Sequence, residues 1–405
     1  MGRFTHFDEI AGAVELPTSR NLDIGKVKVG MINSTSTAAR LPLGEGLDSF
    51  VTLTEIIGVA RGVLPTGILD FLEGGAGEER TLRDNRTAFR NWNFVPRVMT
   101  GYGKPELATS FLGIPLAIPV LTAPFGADGL FHPRGQCAVA RANAAEGVAS
   151  IVPEAGTYSF EVVAEAAPDA ARIAQLHPMG SAEHFVEMLH RIESAGYQAI
   201  CVTVDFPIAG RRERDLMNRF DRNFAEASGN YPDDGSVSSE TIFKQLFYHS
   251  GAGWSWGQLG ELMDKTPLPW IAKGVLTGAD ACAALEVGAD AVLVSNHGGR
   301  QLDGVPAALN QLPEVVSAVA GRVPVAFDSG IRRGSDIVIA LALGADVVVL
   351  GRLVAYGLAA DGEAGVRQVH QLLRAEMLTT LTLLGAGGVA DLQPSVLSIN
   401  ACPWR

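Results

Sequence analysis

The sequence predicts an α/β fold: a (β/α)8 TIM barrel with an N-terminal helical extension and a long loop after strand 4. From about residue 115 onward, short β-branched apolar runs alternate eight times with polar turns and helix-like segments. Continuous apolar strands between amphipathic helices are typical of a parallel sheet covered by helices. Eight such units close naturally into a barrel, and an open doubly wound sheet is the alternative. A chain of 405 residues is long enough for one barrel with additions.

The strand-forming runs follow one another in a regular order along the chain. They are "IPLAIPVLTAPFG", "ASIVPE", "ARIAQL", "AICVTVD", "PWIAKGV", "DAVLVSN", "PVAFDSG" and "DVVVLGR". A long polar stretch, residues 213–252, separates the fourth run from the next helix-like segment. Because it follows the C-terminal end of a strand, we predict that it is a loop insertion on the active face of the barrel.

The N-terminal part of the chain has a different character. Residues 1–50 are rich in Ser, Thr and Gly with weak periodicity, and they predict an extended arm. Residues 51–405 then form the barrel domain. Within it, residues 52–72 predict one helix, which the glycines of "LEGGAGEER" end.

Composition and simple motifs exclude several classes of protein. A net charge of −12 argues against a nucleic-acid binder. Without an 18-residue apolar run, and without the apolar core of a signal peptide, we expect no membrane span and a cytoplasmic location. The chain has no HExxH motif and no Cys–His cluster, so we expect no metal. The cysteines are widely spaced and indicate reduced, mostly buried thiols: Cys137, Cys201, Cys282 and Cys402.

Polar residues stand at the C-terminal ends of the predicted strands, which converge on one mouth of a barrel. They are Gln175, His177, Thr203, Asp205, Lys273, His297, Arg300, Asp328, Arg332, Gly351 and Arg352. Their clustering at the same end of successive strands predicts an active site there.

The last two units predict a phosphate site. "DSGIRRG" and "LGR" offer glycine N–H groups, a helix N-terminus and the counter-charges of Arg332 and Arg352. Barrels often bind phosphate after strands seven and eight.

The other units supply acid–base and anion-binding groups. His297 is the natural general base, and Asp205 is placed to orient it. Lys273, flanked by apolar residues, is suited to stabilise negative charge that develops on a ligand. Arg300 and Arg212 can hold a carboxylate through the guanidinium fork.

Several of these motifs together resemble one family. "SNHGGRQLD", "GGAGEERTLRDNRTAFRNWNFVPR", "TVDFPIAGRRERDLMNRF", "KGV", "FDSGIRRGSD" and "LGR" resemble the FMN-dependent α-hydroxy acid oxidases and dehydrogenases, a group that includes glycolate oxidase, lactate oxidase, lactate monooxygenase and mandelate dehydrogenase. The resemblance runs from about residue 55 to 385. It implies oxidation of a 2-hydroxy acid to a 2-keto acid, with oxygen or another electron acceptor, in a homotetramer.

The resemblance also implies where FMN and the substrate bind. The cofactor-binding residues would be Ala123, Pro124, Phe125, Gly126, Gln175, Thr203, Lys273, Ser295, His297, Arg300, Asp328, Ser329, Gly330, Arg332, Gly351 and Arg352. The residues around the substrate would be Phe71, Ala155, His177, Arg212, His297 and Arg300. Catalysis would fall to His297, Asp205, Lys273, Arg300, Arg212 and His177.

Three positions depart from the family pattern. Phe71 and His177 stand where the family usually has tyrosines, and Ala155 stands where an aromatic residue is usual. Ala155 leaves volume, which favours a bulky or aromatic substrate. His177 could replace the missing hydroxyl as a hydrogen-bond donor or act as a second acid–base group. The alternative is a repurposed member that catalyses oxidative decarboxylation, monooxygenation or oxidation of a non-standard substrate.

Overall fold

The computed structural model describes residues 50–220, 224–231 and 253–399, and a closed barrel of eight parallel strands is its centre. The first strand pairs with the eighth, with Thr122 opposite Leu350, so the sheet is closed rather than open. The predicted barrel is therefore confirmed. Its strands are Val120–Thr122, Ala149–Val152, Arg172–Leu176, Ala199–Thr203, Trp270–Val275, Ala291–Val294, Val325–Phe327 and Val347–Leu350.

Both faces of the barrel strands are buried, which explains why the strands read as continuous apolar runs. Alternate side chains fill the barrel interior: Leu121, Ile151, Ile173, Cys201, Ile271, Leu293, Ala326 and Val349. Their neighbours along the strands, such as Val120, Val152 and Val202, belong to the larger core shared with the helices. A hairpin of Thr109–Phe111 and Ile114–Leu116 packs against the interior set just before the first barrel strand.

Helices precede and surround the barrel. Their bounds are Leu53–Val63, Thr66–Glu73, Arg80–Thr87, Gly135–Glu146, Phe160–Ala166, Ala182–Ser194, Glu213–Met217, Trp256–Met263, Gly278–Glu286, Ala308–Val319, Gly334–Ala342 and Arg352–Leu384. A short antiparallel pair, Trp92–Phe94 with Leu397–Ile399, lies outside the barrel.

The prediction of one helix over residues 52–72 was wrong, because this segment forms two helices. Leu53–Val63 ends before Pro65, and Thr66–Glu73 begins after it. Leu64 is extended, with ψ of 133°. A residue before proline is driven out of the helical region, and proline itself has no N–H to donate.

Some predictions lie partly or wholly outside the described residues. The arm predicted over residues 1–50 is one, apart from Phe50, and Cys402 is another. The division into an arm and a barrel domain of 51–405 therefore stays a prediction. Of the insertion at 213–252, the structure describes residues 213–220, which include the helix Glu213–Met217, and residues 224–231, in which Ala227 and Tyr231 are buried.

Within the described ranges no helix is long and apolar enough to cross a membrane. The same residues contain no group of three His, Cys, Asp or Glu side chains that could hold a metal ion. The cysteines that are described, Cys137, Cys201 and Cys282, are free thiols.

Candidate active site

A cavity opens at the C-terminal ends of the barrel strands, where the sequence predicted the site. It brings together the sequence-predicted residues Phe71, Ala123, Pro124, Phe125, Gly126, Ala155, Gln175, His177, Thr203, Arg212, Lys273, His297, Arg300, Asp328, Ser329, Gly330, Arg332, Gly351 and Arg352. Two predicted residues do not line the cavity. Asp205 lies behind His297, and Ser295 is fully buried, where its hydroxyl accepts the backbone N–H of His297 at 3.0 Å.

A left-handed turn after the sixth strand carries His297 into the cavity. His297, Gly298 and Gly299 all have positive φ, of 58°, 65° and 75°. A side chain at Gly299 would place Cβ 2.7 Å from the backbone of Leu82, so only glycine permits this approach. The buried side chain of Asn296 accepts the N–H of Gly299 at 3.1 Å and stabilises the turn.

Asn296 is itself held by a residue that the sequence reasoning missed. Asn85, on the helix Arg80–Thr87, donates to Asn296 Oδ1 at 2.8 Å and accepts from Asn296 Nδ2 at 2.8 Å. Asn85 belongs to "DNRTAFR", so the motif contained the signal. The role of Asn85 is apparent only in the structure, where its side chain lies within hydrogen-bond distance of Asn296.

His297 and Asp205 form a hydrogen-bonded pair, with Nδ1 of the ring 3.1 Å from Oδ1 of the carboxylate. Because a carboxylate only accepts, the ring nitrogen donates, and Nε2 is the atom that can accept a proton. Burial, with help from the positive charge of Lys273 and against the opposing effect of Asp205, lowers the pKa of His297 to about 4. The imidazole is therefore neutral near pH 7 and able to act as a base.

Lys273 is a buried cation in the same cavity, only 4% exposed. Its Nζ lies 4.0 Å from Asp328 Oδ2. Burial by itself lowers the pKa of Lys273, but the carboxylates of Asp205 and Asp328 outweigh burial and raise the pKa above its ordinary value. The ammonium group therefore stays charged and can stabilise negative charge on a bound ligand.

The carboxylate of Asp205 is held in its charged form by the same neighbours. Burial would raise the pKa of Asp205, but His297, which is protonated in the acid range where Asp205 titrates, and the ammonium of Lys273 outweigh burial and lower it. Gly274 makes this arrangement possible, because Cβ at that position would lie 2.5 Å from Asp205 Cγ.

Two arginines are anchored where a substrate carboxylate could reach them. Arg300 Nη1 donates to the carbonyls of Phe71 at 2.7 Å and Gly74 at 2.8 Å. Its guanidinium carbon lies 5.1 Å from the centre of the Phe71 ring. Arg212 is 6% exposed, and its Nε donates to the carbonyl of Arg300 at 3.4 Å.

Arg332 and Arg352 both line the cavity near the start of the helical segment Arg352–Leu384, whose N-cap is Gly351 and which is kinked at Asp361 and Gly362. Arg352 donates to the carbonyls of Leu72 at 2.9 Å, Gly298 at 3.0 Å and Gly74 at 3.1 Å. Burial lowers the pKa of Arg352 to about 10, and the like charge of Arg332 adds to this effect. Two enclosed cations at a helix N-terminus fit a phosphate dianion, because its charge would offset their repulsion.

His177 lies in the cavity wall beside a carboxylate that the sequence reasoning missed. Its Nδ1 is 2.7 Å from Glu154 Oε2, and both residues are buried. Glu154 also accepts the hydroxyl of Tyr231, from the segment 224–231. Glu154 ends the run "IVPE", so its position at a strand end was a usable signal, whereas nothing in the sequence pointed to Tyr231.

Comparison with known proteins identifies the family of this chain. The sequence model of the FMN-dependent dehydrogenase family matches residues 60–399. The chain is 39% identical over 350 residues to a peroxisomal (S)-2-hydroxyacid oxidase of Arabidopsis thaliana, covering 85% of this chain and 96% of the relative. It is 38% identical over 367 residues to an L-lactate oxidase of a Nostoc species, covering 87% and 99%.

A solved structure of an oxidised active mutant of (S)-mandelate dehydrogenase superposes with a TM-score of 0.81 at 34% identity. The superposition covers 87% of this chain and all of that one. The family match, the identities and the shared barrel lead to one conclusion: this chain belongs to the FMN-dependent dehydrogenase family.

Proposed function

We propose that this chain oxidises a 2-hydroxy acid to the 2-keto acid. The observation that carries the proposal is the neutral, Asp205-bonded imidazole of His297 in one cavity with the buried ammonium of Lys273 and the guanidinium of Arg300. FMN, when bound, supplies the acceptor for the two electrons that leave the substrate. The chain's own residues supply binding, orientation and proton transfer.

Proton transfer falls to the Asp205–His297 pair. His297 Nε2 accepts the proton that the substrate releases as its hydroxyl-bearing carbon is oxidised. Asp205 keeps Nδ1 protonated and stabilises the imidazolium that results. Arg300 and Arg212 hold the substrate carboxylate close to His297, which keeps the reacting carbon within reach of the base.

The donor set fits FMN. Arg332 and Arg352, with the N–H groups of Gly330 and Gly351, would hold the phosphate. Lys273 would balance negative charge on the reduced ring. The remaining cofactor contacts that we propose are Ala123, Pro124, Phe125, Gly126, Gln175, Thr203, Ser295, Asp328 and Ser329.

A bulky or aromatic side chain fits the rest of the cavity. Ala155 and Phe71 line the cavity, together with Phe125, Phe131 and Phe206. An apolar wall of this kind stabilises an aryl or large alkyl group by burial. The similarity to a structure of mandelate dehydrogenase supports the same choice.

Anaerobic mixing with mandelate tests the proposed reaction. We expect the visible flavin absorbance of the purified protein to bleach, with one 2-keto acid formed per flavin reduced. Release of CO2 with a shortened acid once air is admitted would instead favour oxidative decarboxylation or monooxygenation, the reactions that the departures at Phe71 and His177 leave open. A protein without flavin absorbance would contradict both.

Three finer features stay predictions. Oxygen as the electron acceptor is checked by hydrogen peroxide release in air after reduction by substrate. A homotetramer is checked by light scattering of the purified protein, and a cytoplasmic location by fractionation of cells that produce it.

A further inference from the structure

A buried carboxylate, Glu154, joins three separate segments of the chain beside the active-site cavity. Glu154 is 3% exposed and follows the second barrel strand. One oxygen of its carboxylate, Oε2, accepts the backbone N–H of His177 at 2.8 Å and lies 2.7 Å from the ring nitrogen Nδ1 of the same residue. The other oxygen, Oε1, accepts the hydroxyl of Tyr231. One oxygen therefore binds the end of the third strand, and the other binds the described part of the inserted loop.

Tyr231 contributes a hydroxyl that keeps its proton. The residue is 3% exposed, and burial together with the Glu154 carboxylate raises its pKa above the ordinary value. Because a carboxylate only accepts, the Tyr231 hydroxyl is the donor in this bond. If either partner is removed, the remaining buried polar group is left without this hydrogen bond, which costs more free energy than the bond itself contributes.

The loop segment 226–231 is held against the connection that carries Glu154 by further bonds. The side chain of Asn230, which is 2% exposed, donates to the carbonyl of Glu154 at 2.9 Å. The backbone N–H of Gly229 donates to the carbonyl of Gly156 at 3.0 Å. The segment is thus packed on this connection, and the bond from Tyr231 to the Glu154 carboxylate couples it to the end of the third strand.

Two of the joined segments contribute residues to the cavity wall. His177 and Ala227 both line the cavity, as does the proposed base His297. Ala227 is 5% exposed and belongs to an apolar cluster that also contains Phe206. The ring of His177 packs on the same cluster, with its centroid 5.0 Å from that of Phe206. The position of this part of the wall therefore depends on the bonds that Glu154 makes.

We propose that Glu154 is a positioning residue for substrate binding, because its carboxylate holds His177 and the segment 226–231 together as one wall of the cavity. Glu154 does this by geometry, and no proton needs to leave or reach it. The role rests on the proposed function, since the wall matters only if a substrate occupies the cavity. A wall that contacts the substrate equally before and during the reaction contributes uniform binding. Loosening it should weaken substrate binding and leave the limiting rate of the chemical step nearly unchanged.

Two measurements on the FMN-loaded enzyme test this role. Anaerobic flavin reduction at increasing mandelate concentration gives the substrate Kd and the limiting rate of bleaching. Hydrogen–deuterium exchange of a peptide that covers Gly229 reports whether the segment 226–231 stays in place. In Tyr231→Phe and in Glu154→Ala we expect the Kd to rise at least about fivefold, the limiting rate to stay within about twofold, and the Gly229 amide to exchange at least about tenfold faster.

Glu154→Gln separates geometry from charge. The side-chain oxygen of glutamine can accept both donors of His177, and its amide N–H can donate to the oxygen of Tyr231. We therefore expect the Kd and the exchange rate to stay within about threefold of the wild-type values. A Kd as weak as that of Glu154→Ala would show that the negative charge is what matters, and it would contradict a positioning role.

Tyr197→Phe is the matched control, because it also removes one buried hydroxyl. Tyr197 is 3% exposed, and its hydroxyl donates to the carbonyl of Phe160 at 2.9 Å. Tyr197 is not among the residues that line the cavity. The mandelate Kd and the exchange at Gly229 should keep their wild-type values in this variant. If Glu154→Ala does not retain FMN, Tyr231→Phe decides the question through the same two measurements.

The outcomes for the two proposals differ. A wild-type mandelate Kd in Tyr231→Phe, or a rise no larger than that in Tyr197→Phe, overturns the positioning role and leaves the proposed reaction standing. A weaker Kd without faster exchange at Gly229 overturns it as well. Failure of every 2-hydroxy acid to bleach the bound flavin overturns the proposed reaction, and the positioning role with it.

Discussion

Replacing Asp205 by asparagine perturbs His297, the proposed base, without changing the size of the side chain at position 205. In the wild type, Asp205 accepts the Nδ1–H of His297 at 3.1 Å and is the negative charge that opposes the lowering of the histidine pKa. A charge-assisted hydrogen bond contributes about 1.5–3 kcal/mol, which corresponds to about 10- to 150-fold in rate. If the new amide donates to Nδ1, the proton moves to Nε2 and the base is lost, so the defect becomes larger.

The assay is anaerobic stopped-flow reduction of the flavin by mandelate. We expect the rate of bleaching in Asp205→Asn to fall at least about tenfold while the protein retains its FMN. Asp264→Asn, an exposed aspartate at a helix C-cap, is the matched control and should reduce at the wild-type rate. A wild-type rate in Asp205→Asn with FMN bound would refute the reasoning about the pair.

Three further predictions concern protonation, phosphate binding and the cavity wall. Because burial lowers the pKa of His297 from 6.5 to about 4, kcat/KM should be flat above pH 6.5 and fall only on the acid side. The free energy of unfolding should also decrease as the pH falls from 6.5 toward 4, because the unfolded chain binds this proton more tightly; an acid-side fall of kcat/KM with an apparent pKa of 6.5 or above would contradict the assignment. Arg352→Met should weaken FMN binding by about 10- to 150-fold, measured by titration of the apoprotein, since it would remove the charge-assisted contact that we propose to the phosphate. Gly126→Ala places Cβ 2.6 Å from the carbonyl oxygen of Ala155, so the wall must shift and kcat/KM for mandelate should fall by about 10- to 100-fold; unchanged kinetics would show that the wall adjusts freely.

The barrel was predictable because its strands are buried on both faces. Runs such as Ala291–Val294 are apolar at every position, and the polar residues that follow them stand at one end of the sheet. Rules of chain connection then leave few ways to arrange eight such units. The break at Pro65 was equally visible in the sequence, whereas the helical pattern of residues 52–72 by itself predicts a single helix.

The sequence predicts a site residue whose own side chain carries the chemistry. It does not predict a residue that acts only through a hydrogen-bonded partner. His297, Lys273 and Arg352 carry charge or acid–base chemistry at strand ends, and each lies in the cavity. Glu154 and Tyr231 were not predicted, because their role depends on a hydrogen bond between two residues that are 77 positions apart in the sequence. Such pairings are set by the packing of loops, which no local pattern in the chain records.

Flavin reduction in a His297→Asn variant tests the central claim most directly. The claim is that a neutral imidazole in the barrel mouth takes the substrate proton while the other cavity groups hold cofactor and substrate. The variant should bind FMN, show the wild-type flavin spectrum and fail to bleach when mixed anaerobically with mandelate. Bleaching at the wild-type rate would show that the proton goes elsewhere and would contradict the account.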